Sequence, residues 1–241
     1  MSSKQSNSLR IITIIAMMFL YAMIAFVTNL AAPVGKIWEQ SFEGNHAQVM
    51  GMLGNMMNFY NGTLPGEEPI KIFAFADIAW GGGDYTSVPI AYQYSDGSVF
   101  IHDVVFDQGD KNITIPKVVD AFIRNNVGSA CFEGTKATAE YKEKVDSELR
   151  KRDFRANIML KAASTRMRKE ERIFEKSPEI REFYFRDTAH RSNEYAMFMR
   201  VLHSFTMNGK NRFDDSPDSL AGLADMVRRS ACKPRIIDRP F

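Results

Sequence analysis

Cysteine is nearly missing from this chain: Cys131 and Cys232 are the only two in 241 residues, and their separation matches no metal-ligand spacing. A disulfide-built scaffold is thereby excluded, and a reducing compartment fits better. Cys131, inside an apolar stretch, reads as a small buried filler. A dominant charge of one sign is lacking too. The net charge is +2, so contact with nucleic acid has to come from local patches rather than from an overall field. No internal repeat is visible, which leaves out solenoids and propellers. His102, His190 and His203 are scattered singly, which suits structural or surface roles better than a metal centre.

Long apolar runs are absent as well, with one exception. Residues 11–32, IITIIAMMFLYAMIAFVTNLAA, carry no charge and only Thr13, Thr28 and Asn29 as polar interruptions. Such a run is long enough to cross the roughly 30 Å hydrocarbon core of a bilayer. Lys4 and Arg10 precede it, and Lys36, Glu39 and Glu43 follow. The positive-inside rule then predicts a cytoplasmic N-terminus with the rest of the chain outside. A secretory signal competes with this reading, but the run is long and Pro33 follows the only suitable cleavage point. A buried soluble helix fits less well, because no face is polar. The stretch LRIITIIAMMFLYAMIAFVTNLAAPVGKIW, followed by GMLGNMMNF, resembles the start of a major-facilitator sugar permease over residues 9–59 and then stops. One span cannot form a transporter. Residues 60–69, YNGTLPGEEP, are punctuated as a linker. The expected division is a hydrophobic segment with linker over 1–65 and a second domain over 66–241.

From Ile70 onward the pattern is that of an α/β domain. IKIFAFAD, TSVPIAYQYS and SVFIHDVVF read as strands, the last two joined by the hairpin signal Asp96-Gly97. Pro89 inside the second of these predicts an edge strand or a bulge. ITIPKVVDAFIRNN reads as a helix, GSACFEG as a strand, KATAEYKEKVDSELRKR as a helix and RANIML as a strand. TRMRKEERIFEKS is then a basic helix, IREFYF a strand, and NEYAMFMRVLHSF and DSPDSLAGLADMVRR two closing helices. This order predicts one mixed sheet, three antiparallel strands and then parallel ones, with helices on its faces.

Four carboxylates sit where charge is least expected. Asp77 ends the first apolar strand, Glu133 ends the fourth, and Asp215 and Asp218 lie three apart on one face of the last helix. A buried charge costs several kcal/mol unless it is paired, and convergent carboxylates usually pair with divalent metal. Two ions held by such acids can activate water and stabilise a departing oxygen, and all-oxygen ligands suit Mg²⁺ or Mn²⁺. For Asp215 and Asp218 the alternative is helix capping. Asp214 falls on another side of the helix and suits a cap or an outer position. The run Gly81-Gly82-Gly83 before Asp84 is either a phosphate-cradling loop or a flexible turn. Between Arg150 and Lys176 there are ten Lys or Arg against four acids, either a DNA-contacting patch or a solvated helix. Phe183-Tyr184-Phe185 reads as core rather than a base-stacking platform.

Taken together and in order, ADIAWGGGDYTSVPIAYQYSDGSVFIHDVVF, FEG, TRMRKEERI, EFYF and GKNRFDDSPDSLAGLADM resemble the nuclease domain of phage terminase large subunits over about residues 70–230. The resemblance implies an RNase H-like fold and two-metal cleavage of concatemeric double-stranded viral DNA in the host cytoplasm, with portal and small-subunit partners. It assigns Asp77, Glu133, Asp218 and Asp215 as catalytic ligands of two Mg²⁺ or Mn²⁺ ions, with Asp84 behind them; Asp214 joins Asp84 there by its side of the helix alone. Arg166, Arg168, Lys169 and Arg172 would contact DNA. The family's ATPase motor is missing: no GxxxxGK[ST] exists here, and GSACFEGTKA has the wrong spacing. The alternative is an inactive membrane-tethered fragment, from recombination or a faulty gene model, contacting the membrane through residues 11–32 and acting at most as a DNA-binding module. A sugar-kinase-like phosphate site at Gly81-Gly82-Gly83 lacks the second lobe and second phosphate loop it would need.

Overall fold

A computed structural model describes residues 17–20, 57–80, 83–134, 136–162, 168–206 and 211–231. The chain divides into two compact units, residues 1–50 and 51–241. In the first, residues 17–20 are helical and exposed; the rest of the expected membrane span lies outside the described residues. Among the described residues no helix is long and apolar enough to cross a membrane.

The second unit contains a seven-stranded sheet. Its strands are β1 (Asn58–Tyr60), β2 (Lys71–Asp77), β3 (Thr86–Gln93), β4 (Val99–Asp107), β5 (Ser129–Glu133), β6 (Asn157–Lys161) and β7 (Tyr184–Arg186). They lie side by side in the order β1-β7-β4-β3-β2-β5-β6. β2, β3 and β4 are antiparallel, whereas β5 pairs parallel to β2 and β6 parallel to β5. This is the expected mixed sheet, three antiparallel strands followed by parallel ones. The helices are α1 (Lys111–Arg124), α2 (Lys136–Lys151), α3 (Lys169–Arg181), α4 (Asn193–Ser204) and α5 (Asp215–Ala231). Two details differ from the pattern read above. β1 extends the sheet by pairing parallel with β7, and Ile180 and Arg181 belong to α3 rather than to the following strand.

Side-chain alternation along β2 assigns its two faces. Phe73 and Phe75 enter a core formed with α3, α4 and α5. Ala74 and Ala76 enter a second core with α1 and α2, built on Phe122, Tyr141, Val145 and Leu149. Helices on both faces explain why β2 is continuously apolar. Asp77 and Glu133 share the parity of Phe75 and Cys131, so both carboxylates fall on the α3–α5 side. Cys131 is buried there as filler, and Phe183 and Phe185 are core.

The turns follow their residues. Gly97 takes φ +90° in the β3–β4 hairpin, closed by the Tyr94 N–H to Ser98 O bond of 3.0 Å. Pro89 lies in a central strand beside a register shift between Ile90 and Ala91, so the bulge is the alternative realised. α5 is bonded to the sheet through Ser87 Oγ and Ser219 Oγ, 2.8 Å apart and buried. Ser219 spends its own proton on the Ser216 carbonyl, so Ser87 is the donor across the gap. Ser219→Ala would strand the Ser87 hydroxyl without water. A loss of about 1–3 kcal/mol is expected in urea unfolding; no loss would mean that the helix does not seat there.

Candidate active site

The site begins with strand register. Asp77 is the direct partner of Glu133 on parallel β2 and β5, and of Ser87 on antiparallel β3. Neighbouring strands lie about 4.8 Å apart, so two carboxylates leave the same sheet edge side by side. That edge is the carboxyl end of parallel strands, where α/β sheets place their ligands. Gly134 makes the exit from β5. Its φ is +153°, its N–H donates to Lys161 O at 3.0 Å, and a Cβ there would stand 1.9 Å from Thr138 Oγ1. Only glycine lets the chain cross so close to the first turn of α2.

The first turn of α5 lies on the same side. Asp215 and Asp218 are 6% and 4% exposed and Glu133 is 7% exposed. Three acids are thus removed from water, and capping does not require such burial. Two cations from α3 lie among them. Arg172 donates through Nη1 to Glu133 Oε1 at 2.9 Å and through Nη2 to Asp218 Oδ1. Lys169 Nζ is 2.8 Å from Asp214 Oδ1 and 3.0 Å from Asp218 Oδ2. Further along the same two helices, Lys176 lies 3.0 Å from Asp225 Oδ1, and Lys161 of β6 lies 3.2 Å from Asp225 Oδ2.

Charge balance in the cluster is incomplete. Burial pushes the Asp77 carboxyl up to about 7, Asp218 adds to this, Lys169 opposes it, and Asp215 and Glu133 add the rest. Asp215 is raised to about 6, again chiefly by burial, with the Tyr85 backbone and Lys169 opposing and Asp214 and Asp84 adding. Asp215 Oδ2 is buried without a hydrogen-bond partner. Burial works against the charges on Lys169 and Arg172, but the surrounding acids outweigh it and hold both protonated.

The structure therefore brings Asp77, Glu133, Asp215 and Asp218 to one sheet edge. Asp84 is exposed, and Asp214 is bound to Lys169. Arg168 is exposed at the start of α3, while Arg166 lies outside the described residues. Lys169 and Arg172, expected as phosphate contacts, are turned onto carboxylates instead. Among the described residues no three His, Cys, Asp or Glu side chains converge closely enough to hold a metal ion. Arg172 and Lys169 occupy oxygens of Glu133 and Asp218 and offset the repulsion among the acids. Their partnership with the acids was not read from the sequence, although a signal exists. Lys169, Arg172 and Lys176 follow an i, i+3, i+7 stripe, and Asp218 and Asp225 are seven apart, as two facing helices require.

No family model and no curated protein matches this chain, so neither the permease nor the terminase resemblance gains a sequence relative. Several solved structures are similar in shape. The yeast mitochondrial Holliday junction resolvase Ydc2 is 11% identical with a TM-score of 0.42, over 68% of this chain and 82% of that one. The Holliday junction resolvase of fowlpox virus is 15% identical with a TM-score of 0.44, over 66% and 99%. The nuclease domain of the large terminase subunit gp2 of bacterial virus Sf6 is 7% identical with a TM-score of 0.45, over 67% and 89%. Likeness at this level carries no statement about chemistry.

Proposed function

We propose that this chain is a metal-dependent DNA endonuclease of the terminase large-subunit type, cutting concatemeric double-stranded viral DNA. The observation that carries the reading is the Asp77–Glu133 register pair beneath two further buried acids, Asp215 and Asp218. The terminase assignment adds the ordered sequence motifs, and it would place the activity with viral DNA in the host cytoplasm.

The donor set suits Mg²⁺ or Mn²⁺. Every candidate ligand is a carboxylate oxygen, and Asp215 Oδ2 is a buried acceptor with nothing to accept from. Asp77, Glu133, Asp215 and Asp218 would hold two ions once Arg172 and Lys169 yield their oxygens. Bound there, the ions supply an activated water and charge stabilisation for the leaving oxygen. The protein's own part is to hold the acids on two rigid strands and one helix, and to keep bulk water from three of them. Asp77, half-protonated near neutral pH without a cation, gives up that proton when a cation arrives, so loading tightens as pH rises.

The full chain should nick supercoiled plasmid with Mg²⁺ or Mn²⁺ and not with chelator present. Glu133→Gln should slow cleavage at least a hundredfold. Cleavage indifferent to chelator or to Glu133→Gln would overturn the metal reading. Preference for a four-way junction over linear duplex would reassign the substrate to branched DNA.

A further inference from the structure

Fully ionised, the four acids assigned above and Asp214, which shares Lys169, bring five negative charges, and the two cations among them return two. Arg172 holds the more confining position. One guanidinium spans Glu133 on β5 and Asp218 on α5, and it comes from a third element, α3. The three side chains are 16%, 6% and 5% exposed, so the pairs are shielded from the solvent screening that makes surface ion pairs weak. The fit is incomplete for the arginine, since Arg172 Nε is buried with no hydrogen-bond partner. A planar fork with one nitrogen unsatisfied is a replaceable occupant rather than an optimal one.

The charge count sets how far cations can enter. One divalent ion near Asp77 and Asp215, the acids to which neither Arg172 nor Lys169 is bonded, would offset most of the remaining charge and leave Arg172 in place. A second ion needs oxygens of Glu133 and Asp218, and those are the atoms that Arg172 holds. A divalent ion and a guanidinium do not share them, because like charges at contact distance repel strongly where water is largely excluded.

We infer that Arg172 is a built-in competitor for the second divalent cation: its bridge between Glu133 and Asp218 closes the metal-free site, and its departure completes the ligand set. The inference rests on the metal reading above. Once displaced, the guanidinium lies beside a cationic centre and needs an anion, and the nearest one during reaction is a phosphate of the DNA. Metal loading and DNA binding then favour each other through one side chain. This also reconciles the expected DNA contact at Arg172 with its position on the acids: the two are successive partners.

The test is Mn²⁺ binding by calorimetry to the full-length protein without DNA, comparing wild type with Arg172→Gln. The expected result is that the weaker class of Mn²⁺ sites tightens at least tenfold in Arg172→Gln. Equal or weaker binding by a variant with wild-type circular dichroism overturns the inference and leaves the metal reading intact. If no form binds Mn²⁺, the metal reading falls and the inference with it. A second measurement needs only the wild type. Saturating Mn²⁺ should accelerate hydrogen exchange of the Arg172–Lys176 amides, because α3 loses its anchor; unchanged or slower exchange there counts against displacement even where Arg172→Gln does not fold.

Discussion

Asp77→Asn is expected to abolish DNA cleavage while making the metal-free protein more stable. On the proposed metal reading, the loss of activity follows from removing a carboxylate from the centre of the acid cluster. A metal ion supplies several kcal/mol of charge stabilisation, so a drop of about a thousandfold or more is expected in plasmid nicking. The gain in stability has the opposite origin. In the folded protein Asp77 titrates near 7 against an ordinary 3.8, so between those values the folded state holds a proton that the unfolded chain has released. Stability from this group is therefore fully present below the ordinary carboxylate range and is lost as pH rises through about 7. Asp215, raised to about 6, slopes the same way. For wild-type protein in chelator, urea unfolding should show roughly 2–4 kcal/mol less stability at pH 8 than these two groups allow at pH 5. Asp77→Asn should remove most of that slope, and divalent cation should offset it in the wild type. An unchanged slope in Asp77→Asn would place Asp77 in water rather than in the cluster.

Gly222→Leu should cost about a hundredfold in activity without touching a single acid. Gly222 is one turn beyond Asp218 on α5, and a Cβ built there would lie 2.2 Å from Cζ of Phe75 and 2.3 Å from Cε1. Phe75 is two residues before Asp77 on the same face of β2 and is buried at 1% exposure. The contact between a bare helix backbone and that ring sets how near α5 comes to the sheet, and so how near Asp215 and Asp218 come to Asp77 and Glu133. A leucine must push the helix outward or expel the ring, at about 1–3 kcal/mol in urea unfolding. A shift of an ångström at the acids is worth about a hundredfold in rate. Adding Phe75→Leu should recover part of both losses by vacating the ring's volume. Wild-type activity in Gly222→Leu would show that α5 does not position the site.

Much of this was legible from local patterns. Strand-like and helical periodicities placed nearly every element, and Asp96-Gly97 marked its hairpin because φ > 0 at Gly97 is a local requirement. The acids stood out because charge at the end of an apolar strand is costly wherever the strand lies. Pairing was harder to read. Strand β1 is three residues long, too short for periodicity, and exists because β7 offers it a partner. Pro89 permitted either an edge or a bulge, and only the sheet order decided between them.

The sequence by itself determined an α/β chain with four misplaced carboxylates in three separate contexts, two strand ends and one helix face, that no local rule could bring together. The tertiary structure decided that β2 and β5 are neighbours in register at Asp77 and Glu133, that α5 lies against that edge through Gly222, and that Lys169 and Arg172 stand among the acids instead of facing outward. The reason is range. Periodicity, capping and turn chemistry act within a few residues, whereas Arg172 meets Glu133 across 39 positions and Asp218 across 46. Those encounters are set by the order of strands and the approach of two helices, and they put an arginine between two of the acids.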